Sequence, residues 1–274
     1  MTPDAVAVIT YPGHCVSTLL TIKNLHNLTS WQVPFYVFVD DLGDQFKIWQ
    51  GNYIDHIQDY YSDLPVQLEF IKFSDFGFGP IWDGWLRQQL VKLNIDKFLP
   101  GDTWYVTDGD VYATKLIECN TIPYHFVPKH NRQIYNQNCN YIRHILQHDD
   151  IYLEVNGRNI FTHHVPYRWI LRNVLQELKL HSNAVCKSEF NTNHWSLMKS
   201  LRILGLGNDD NMSMTEWDLL EVFKIKILKQ TCVYEHYPFG ENFHTFFGTD
   251  KDLDLTWIDI PKHIQQNINT ILRA

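Results

Sequence analysis

Four short apolar runs constrain the fold of this chain more than any other feature. "AVAVIT" (5–10), "PFYVFVDD" (34–41), "VQLEFIKF" (66–73) and "TWYVT" (103–107) are of strand length and rich in β-branched and aromatic residues. Segments of helical character separate them: "VSTLLTIKNLHNL" after the first, a polar and aromatic stretch around 45–61 after the second, and "WLRQQLVKLNIDKFL" (85–99) before the fourth. In the last, Leu86, Leu90 and Leu93 recur at i, i+4 and i+7, and Asp83 stands where a helix cap is needed. Strand–helix alternation over residues 5–110 predicts an α/β layout with a mostly parallel central sheet flanked by helices. Ligands of such sheets lie beyond the carboxyl ends of the strands.

Four acids fall at those ends: Asp40 and Asp41 after the second run, Asp108 and Asp110 after the fourth. The run Thr-Trp-Tyr-Val-Thr, entered through the turn at Pro100 and Gly101, passes directly into Asp108-Gly109-Asp110 and then returns to Val-Tyr. Asp and Gly are poor strand residues. The triplet is therefore either a solvated turn or a pair of carboxylates held for a divalent cation. Mg²⁺ and Mn²⁺ take oxygen ligands and share them with substrate phosphates. Gly109 would let the backbone turn tightly and keep bulk away from a donor. Upstream, Arg87, Gln88 and Lys92 lie on the polar side of the 85–99 helix, either as a solvated face or as groups facing phosphates.

The second half is less regular. "FVPKHNRQIYNQNCNYIRHILQ" reads as a loop entering a helix, and "IYLEVNGRNIFTHHVPY" as two strands about an Asn-Gly turn. "RWILRNVLQELKL" has an amphipathic helical pattern, "TEWDLLEVFKIKILKQ" opens a further helix, and "TCVYEHY" is a late strand. There is no low-complexity linker and no internal repeat, so one domain spanning 1–274 is expected.

Composition narrows the classes. The formal charge of −8 and the absence of a long basic cluster leave no general electrostatic footprint for nucleic acid or anionic membrane. Five scattered cysteines with no Cys-x-x-Cys spacing fit a reducing, cytoplasmic setting rather than a disulfide framework. The N-terminal stretch reads as a first strand rather than a signal peptide, and no apolar stretch approaches the roughly 20 residues of a membrane span.

"GWLRQQLVKL", followed by a strand ending in "DGD", resembles a family of mostly uncharacterised bacterial and phage glycosyltransferases, in which a Gly-Trp-x-x-Gln-Gln-x-x-Lys-Leu helix precedes a D-x-D strand end. "IFTHHVPYRWILRNVL" and "TEWDLLEVFKI" are similar to later blocks of that family, so the resemblance runs from about residue 80 to 225. It implies a GT-A fold, with a nucleotide-sugar and metal-binding part over 1–112 and an acceptor-binding part over 113–274. By the same resemblance Asp108 and Asp110 would hold Mn²⁺ or Mg²⁺ against the donor diphosphate. Arg87, Gln88 and Lys92 would lie near ribose or phosphates, and Thr10, Tyr11 and Asp40 would meet the nucleoside. His236 or His244 would complete the metal shell. His163 or His164 would line the acceptor pocket, and Glu216, with Asp218 as the alternative, would be the base on the acceptor hydroxyl.

The expectation is a metal-dependent glycosyltransferase using a nucleotide-sugar, a UDP-sugar by preference, on a glycan, lipid, protein or modified nucleic-acid acceptor. Its rivals are a nucleotidyltransferase, which would need a basic Gly-rich loop after the first strand, and a non-catalytic binding protein on the same fold. "TYPGHCVST" has one Gly and no Lys or Arg, which counts against the nucleotidyltransferase.

Overall fold

The computed structural model describes residues 1–11, 14–42, 66–77, 84–129, 132–162, 165–185, 215–238 and 241–245. The helix expected around 45–61, the cap Asp83 and both His163 and His164 lie outside the described residues. The chain divides into two compact units, one of Met1–Ile117, Pro166–Trp169 and Pro238–Ala274, the other of Glu118–Val165 and Ile170–Tyr237.

The first unit is built on a five-stranded sheet in the order β3-β2-β1-β4-β9. Its strands are β1 (Ala5–Thr10), β2 (Phe35–Val39), β3 (Leu68–Lys72), β4 (Thr103–Asp108) and β9 (Tyr167–Leu171). The pairs β1–β2, β1–β4 and β2–β3 are all parallel, as the alternating pattern predicts. Every residue of β1 and β2 is buried, which is why these strands are unbroken apolar runs rather than alternating ones. Each Val, Ile or Phe so buried contributes about 1.5–3 kcal/mol. Trp31, Tyr105 and Trp169 pack edge to face, with ring centroids 5.2–5.8 Å apart. A second strand pair, β5 (Val111–Ala113) with β11 (Phe243–Thr245), runs antiparallel.

Helix α1 (Cys15–Thr29) follows β1, and α2 (Gly84–Lys92) precedes β4. The periodicity predicts a helix as far as residue 99, but α2 stops at Lys92. Asn94 ends it: its amide N–H reaches the Val91 carbonyl at 2.8 Å and its side-chain nitrogen reaches the Leu90 carbonyl at 2.8 Å. A separate 3-10 turn follows at Ile95–Lys97.

The turn before β4 depends on Gly101, whose φ is +69°. A Cβ there would lie 2.3 Å from that of Asp4. The Asp4 carboxylate accepts the amides of Asp102 (2.7 Å) and Thr103 (2.9 Å), which hold its pKa below the usual range. Gly101→Ala is expected to cost at least 1–2 kcal/mol from the left-handed backbone alone, with the clash added. A urea titration should show a lower midpoint at an unchanged slope.

The second unit holds a four-stranded sheet, β10-β6-β8-β7, made of β6 (Thr121–Phe126), β7 (Glu154–Val155), β8 (Arg158–Phe161) and β10 (Val233–His236). Three helices pack on one another: α3 (Arg132–Leu146), α4 (Arg172–Val185) and α5 (Glu216–Val222), the last widening into a π turn at Phe223–Ile227. The sequence pattern puts a helix at "RWILRNVLQELKL", but Arg168–Leu171 belong to β9 and α4 begins at Arg172. Among the described residues no helix is long and apolar enough to cross a membrane.

Candidate functional site

The strand ends of the first unit gather the acids picked out by sequence. β1 and β4 run side by side, so the Asp108-Gly109-Asp110 turn emerges next to Thr10. The amide of Gly109 donates to the Ile9 carbonyl at 2.7 Å, and that of Asp108 to the Pro166 carbonyl at 3.0 Å. A Cβ on Gly109 would sit 2.7 Å from the Thr18 hydroxyl oxygen and 2.8 Å from Thr10 Cβ. Only glycine fits between the two acids.

Helix α1 holds this turn through side chains that the sequence reading passed over. Thr18 donates to the His14 carbonyl at 2.5 Å, and its hydroxyl lies 2.7 Å from that of Thr10. The Thr21 hydroxyl accepts the amide of Val111 at 3.1 Å. Asn24 bonds Ala113 twice, accepting its N–H at 2.8 Å and donating to its carbonyl at 3.0 Å. Thr18, Thr21 and Asn24 thus form a buried polar stripe three residues apart that fixes the triplet and β5 together. The signal was present in "VSTLLTIKNLHNL", where polar residues recur at helical spacing among the apolar ones. Tyr11 at the end of β1 bonds the His14 ring through its hydroxyl.

The cations of α2 are neither solvated nor directed outward. Arg87 grips the Asp40 carboxylate with Nε at 2.9 and 3.0 Å and Nη2 at 2.6 Å, and both residues are buried. Lys92, also buried, places Nζ 2.7 Å from Asp108 Oδ1. One helix therefore ties the ends of β2 and β4 by two ion pairs. Gln88 between them is half-buried. Asp41 accepts the Ser74 amide at 2.9 Å and its hydroxyl at 2.5 Å, which joins the end of β2 to the turn after β3.

Asp110 is the perturbed member of the triplet. Burial, then the neighbouring Asp108 charge, push its pKa up to about 7, with its own backbone amide and Lys92 opposing. Lys92, paired with Asp108, offsets part of the repulsion between the two carboxylates. Among the described residues no group of three or more His, Cys, Asp or Glu side chains could hold a metal ion. Asp108 and Asp110 offer carboxylate oxygens, the ligand type that hard divalent cations take, and any such ion would have to draw the rest of its shell from water or substrate.

Of the two histidines expected near a metal, His244 lies on β11 in register with Tyr112 of β5, two residues beyond Asp110. His236 belongs to the second unit, at the exposed end of β10, with its ring 5.6 Å from those of Tyr124 and His125.

The acids at the start of α5 differ sharply. Glu216 is the first helical residue and is buried. Asp218 accepts the Thr162 amide (2.8 Å) and hydroxyl (2.6 Å), the Asn138 amide group (2.6 Å) and the Thr215 hydroxyl (2.9 Å). With four donors on two oxygens, Asp218 is occupied in tying α5 to α3 and to the end of β8.

No protein-family model and no curated protein matches the chain. Solved structures similar to it include a galactosyltransferase, LgtC, in complex with donor and acceptor sugar analogues. That likeness has a TM-score of 0.41 and 8% identity over 98% of this chain and 95% of that one. The inositol-1-phosphate CTP transferase from T. maritima has a TM-score of 0.44 and 8% identity over 99% and 98% of the two chains. The mannosyltransferase PcManGT from Pyrobaculum calidifontis, in complex with GDP-Man and Mn²⁺, has a TM-score of 0.32 and 12% identity over 78% and 55%. No activity passes from likenesses at this level to the present chain.

Proposed function

We propose that the chain is a metal-dependent glycosyltransferase of GT-A type, moving a sugar from a nucleotide-sugar, a UDP-sugar by preference, to an acceptor hydroxyl. The observation that carries this reading is the Asp108-Gly109-Asp110 turn at the carboxyl end of a buried parallel strand, built so that no side chain fits between its acids. Asp108 and Asp110 would hold Mn²⁺ or Mg²⁺, which supplies charge neutralisation at the leaving diphosphate. Lys92 holds Asp108 in place and adds positive charge beside it. Arg87 and Asp40 set the end of β2, where Thr10 and Tyr11 border the nucleoside side of the site. Glu216, buried at the start of α5, is the acceptor base in this reading, and Asp218 positions the helix that carries it.

Thermal unfolding with nucleotide-sugars, free nucleotides and nucleoside triphosphates, each with Mn²⁺, Mg²⁺ or chelator, tests the proposal. One nucleotide-sugar should raise the melting temperature only with metal. At a hundredfold excess over its dissociation constant the stabilisation should be about 2.7 kcal/mol. Asp108→Ala and Asp110→Ala should abolish it. A larger response to a triphosphate would favour nucleotidyl transfer, and no response with metal present would return the triplet to a plain turn.

A further inference from the structure

In a chain of formal charge −8, one surface of the second unit has the opposite sign. A cavity of about 600 Å³ is lined there by Lys129, Arg132 and Arg158, with Tyr135, Asn136 and Asn159 between them. Glu154 also lines it and is the acid on that wall. Three cations converging on one concavity of an acidic protein form a local anion trap.

The walls of this cavity are built, not incidental. β7 and β8 form a hairpin whose two-residue turn, Asn156-Gly157, has φ of 53° and 70°, the left-handed pair that fixes a tight register. That register makes Arg158 the first residue of β8. Its guanidinium lies 3.8 Å from the centroid of the Phe126 ring, so the cation is stacked on an aromatic face. The Val127 amide donates to the Asn159 carbonyl at 3.1 Å and ties the end of β6 to the hairpin. On α3, Arg132, Tyr135 and Asn136 stand at i, i+3 and i+4, on one side of the helix.

Tyr135 supplies an independent sign of a ligand. Its ring is buried and packs edge-on to Phe161 at 5.2 Å. Among the described residues its hydroxyl meets only the Cys139 thiol, a weak hydrogen-bonding group. A buried hydroxyl with only a thiol beside it is poorly satisfied, and such groups mark places where a stronger partner can enter.

We propose that this cavity binds a sugar bearing a phosphate or carboxylate group. Lys129, Arg132 and Arg158 take the anion by charge-assisted hydrogen bonds. Asn136, Asn159 and Glu154 offer donors and acceptors to ring hydroxyls, and the Tyr135 hydroxyl gains a stronger partner than the Cys139 thiol. The volume lies in the range of small-molecule sites, roughly 300–1,000 Å³. Three cations in an acidic chain are few for a polynucleotide track. The inference needs neither metal nor donor and so stands or falls apart from the transferase reading.

Calorimetric titration of the full chain, without metal, tests it with a hexose 6-phosphate, a hexuronic acid, the plain hexose, inorganic phosphate and a short single-stranded oligonucleotide. One or both charged sugars should bind, more weakly as salt rises, while the plain hexose and inorganic phosphate bind at least about tenfold more weakly. Arg132→Gln and Arg158→Gln should each lower affinity by about tenfold or more. Tyr135→Phe should lower affinity while leaving the melting temperature of the free protein unchanged or raised, an outcome a structural hydroxyl would not give. The proposal is overturned if neither charged sugar binds, if binding is indifferent to all three variants, if inorganic phosphate binds as well as the sugar phosphate, or if the oligonucleotide binds more tightly than either sugar.

Discussion

Arg87→Leu is expected to lower the free energy of unfolding by about 3–5 kcal/mol, the usual cost of leaving one member of a buried ion pair without its partner. Asp40 is buried, and three hydrogen-bond contacts from the guanidinium offset the loss of water around it. Burial already pushes the Asp40 pKa upward, and Arg87 is the largest influence opposing that push. In the variant only the Leu42 amide still opposes the push, so Asp40 takes a proton more readily when folded than when unfolded. The folded state then binds more protons above the unfolded pKa of about 4, and stability falls as pH rises. The penalty should therefore be smallest in acid and grow toward neutrality. Urea titrations at several pH values check this. The double variant Asp40→Leu, Arg87→Met should recover most of the loss, because both charges leave together. A single variant as stable as the parent would mean that the pair contributes nothing to the strand end.

Asp110→Asn should make the ligand-free protein more stable while removing its response to metal and nucleotide-sugar. A carboxyl whose pKa moves from 3.8 to about 7 costs on the order of 4 kcal/mol once ionised, and solvent screening at a partly exposed side chain reduces that to about 1–2 kcal/mol. The sign follows from the raised pKa. Between about pH 4 and 7 the folded protein binds the extra proton, so the parent loses stability as pH rises through that window. The asparagine variant does not titrate there, and its advantage should open across the window and vanish below it. Transfer activity should fall by about 10²–10³ or more, the scale on which lost electrostatic stabilisation of the leaving group is felt. A variant that is both less stable and still responsive to metal would remove Asp110 from the site.

β1, β2 and β4 were legible because short continuous apolar runs alternating with helical segments fit strands buried on both faces of a parallel sheet. The Asn-Gly hairpin was legible because its two positive φ angles suit few other residue pairs. β6 was not, since Pro123 within "TIPYHF" argues against a strand. The structure places it in register with Glu235 of β10. β11 has three residues and no pattern of its own, and it exists only by pairing with β5. At the site, the carboxylates of β2 and β4 were visible as acids after apolar runs. The occupation of Asp218 was not, because three of its four donors come from positions 56 and 80 residues away.

By itself the sequence determined the parallel α/β layout of the first unit, the acids at its strand ends and the glycine between two of them. All of these depend on residue types within a few positions of one another. The tertiary structure alone decided which cation meets which acid. Arg87 and Asp40 are 47 residues apart, and nothing local distinguishes an arginine that will face solvent from one that will be buried against a carboxylate. The order β3-β2-β1-β4 brings those ends together, and burial then forces the charges to pair because an isolated charge away from water is too costly to keep.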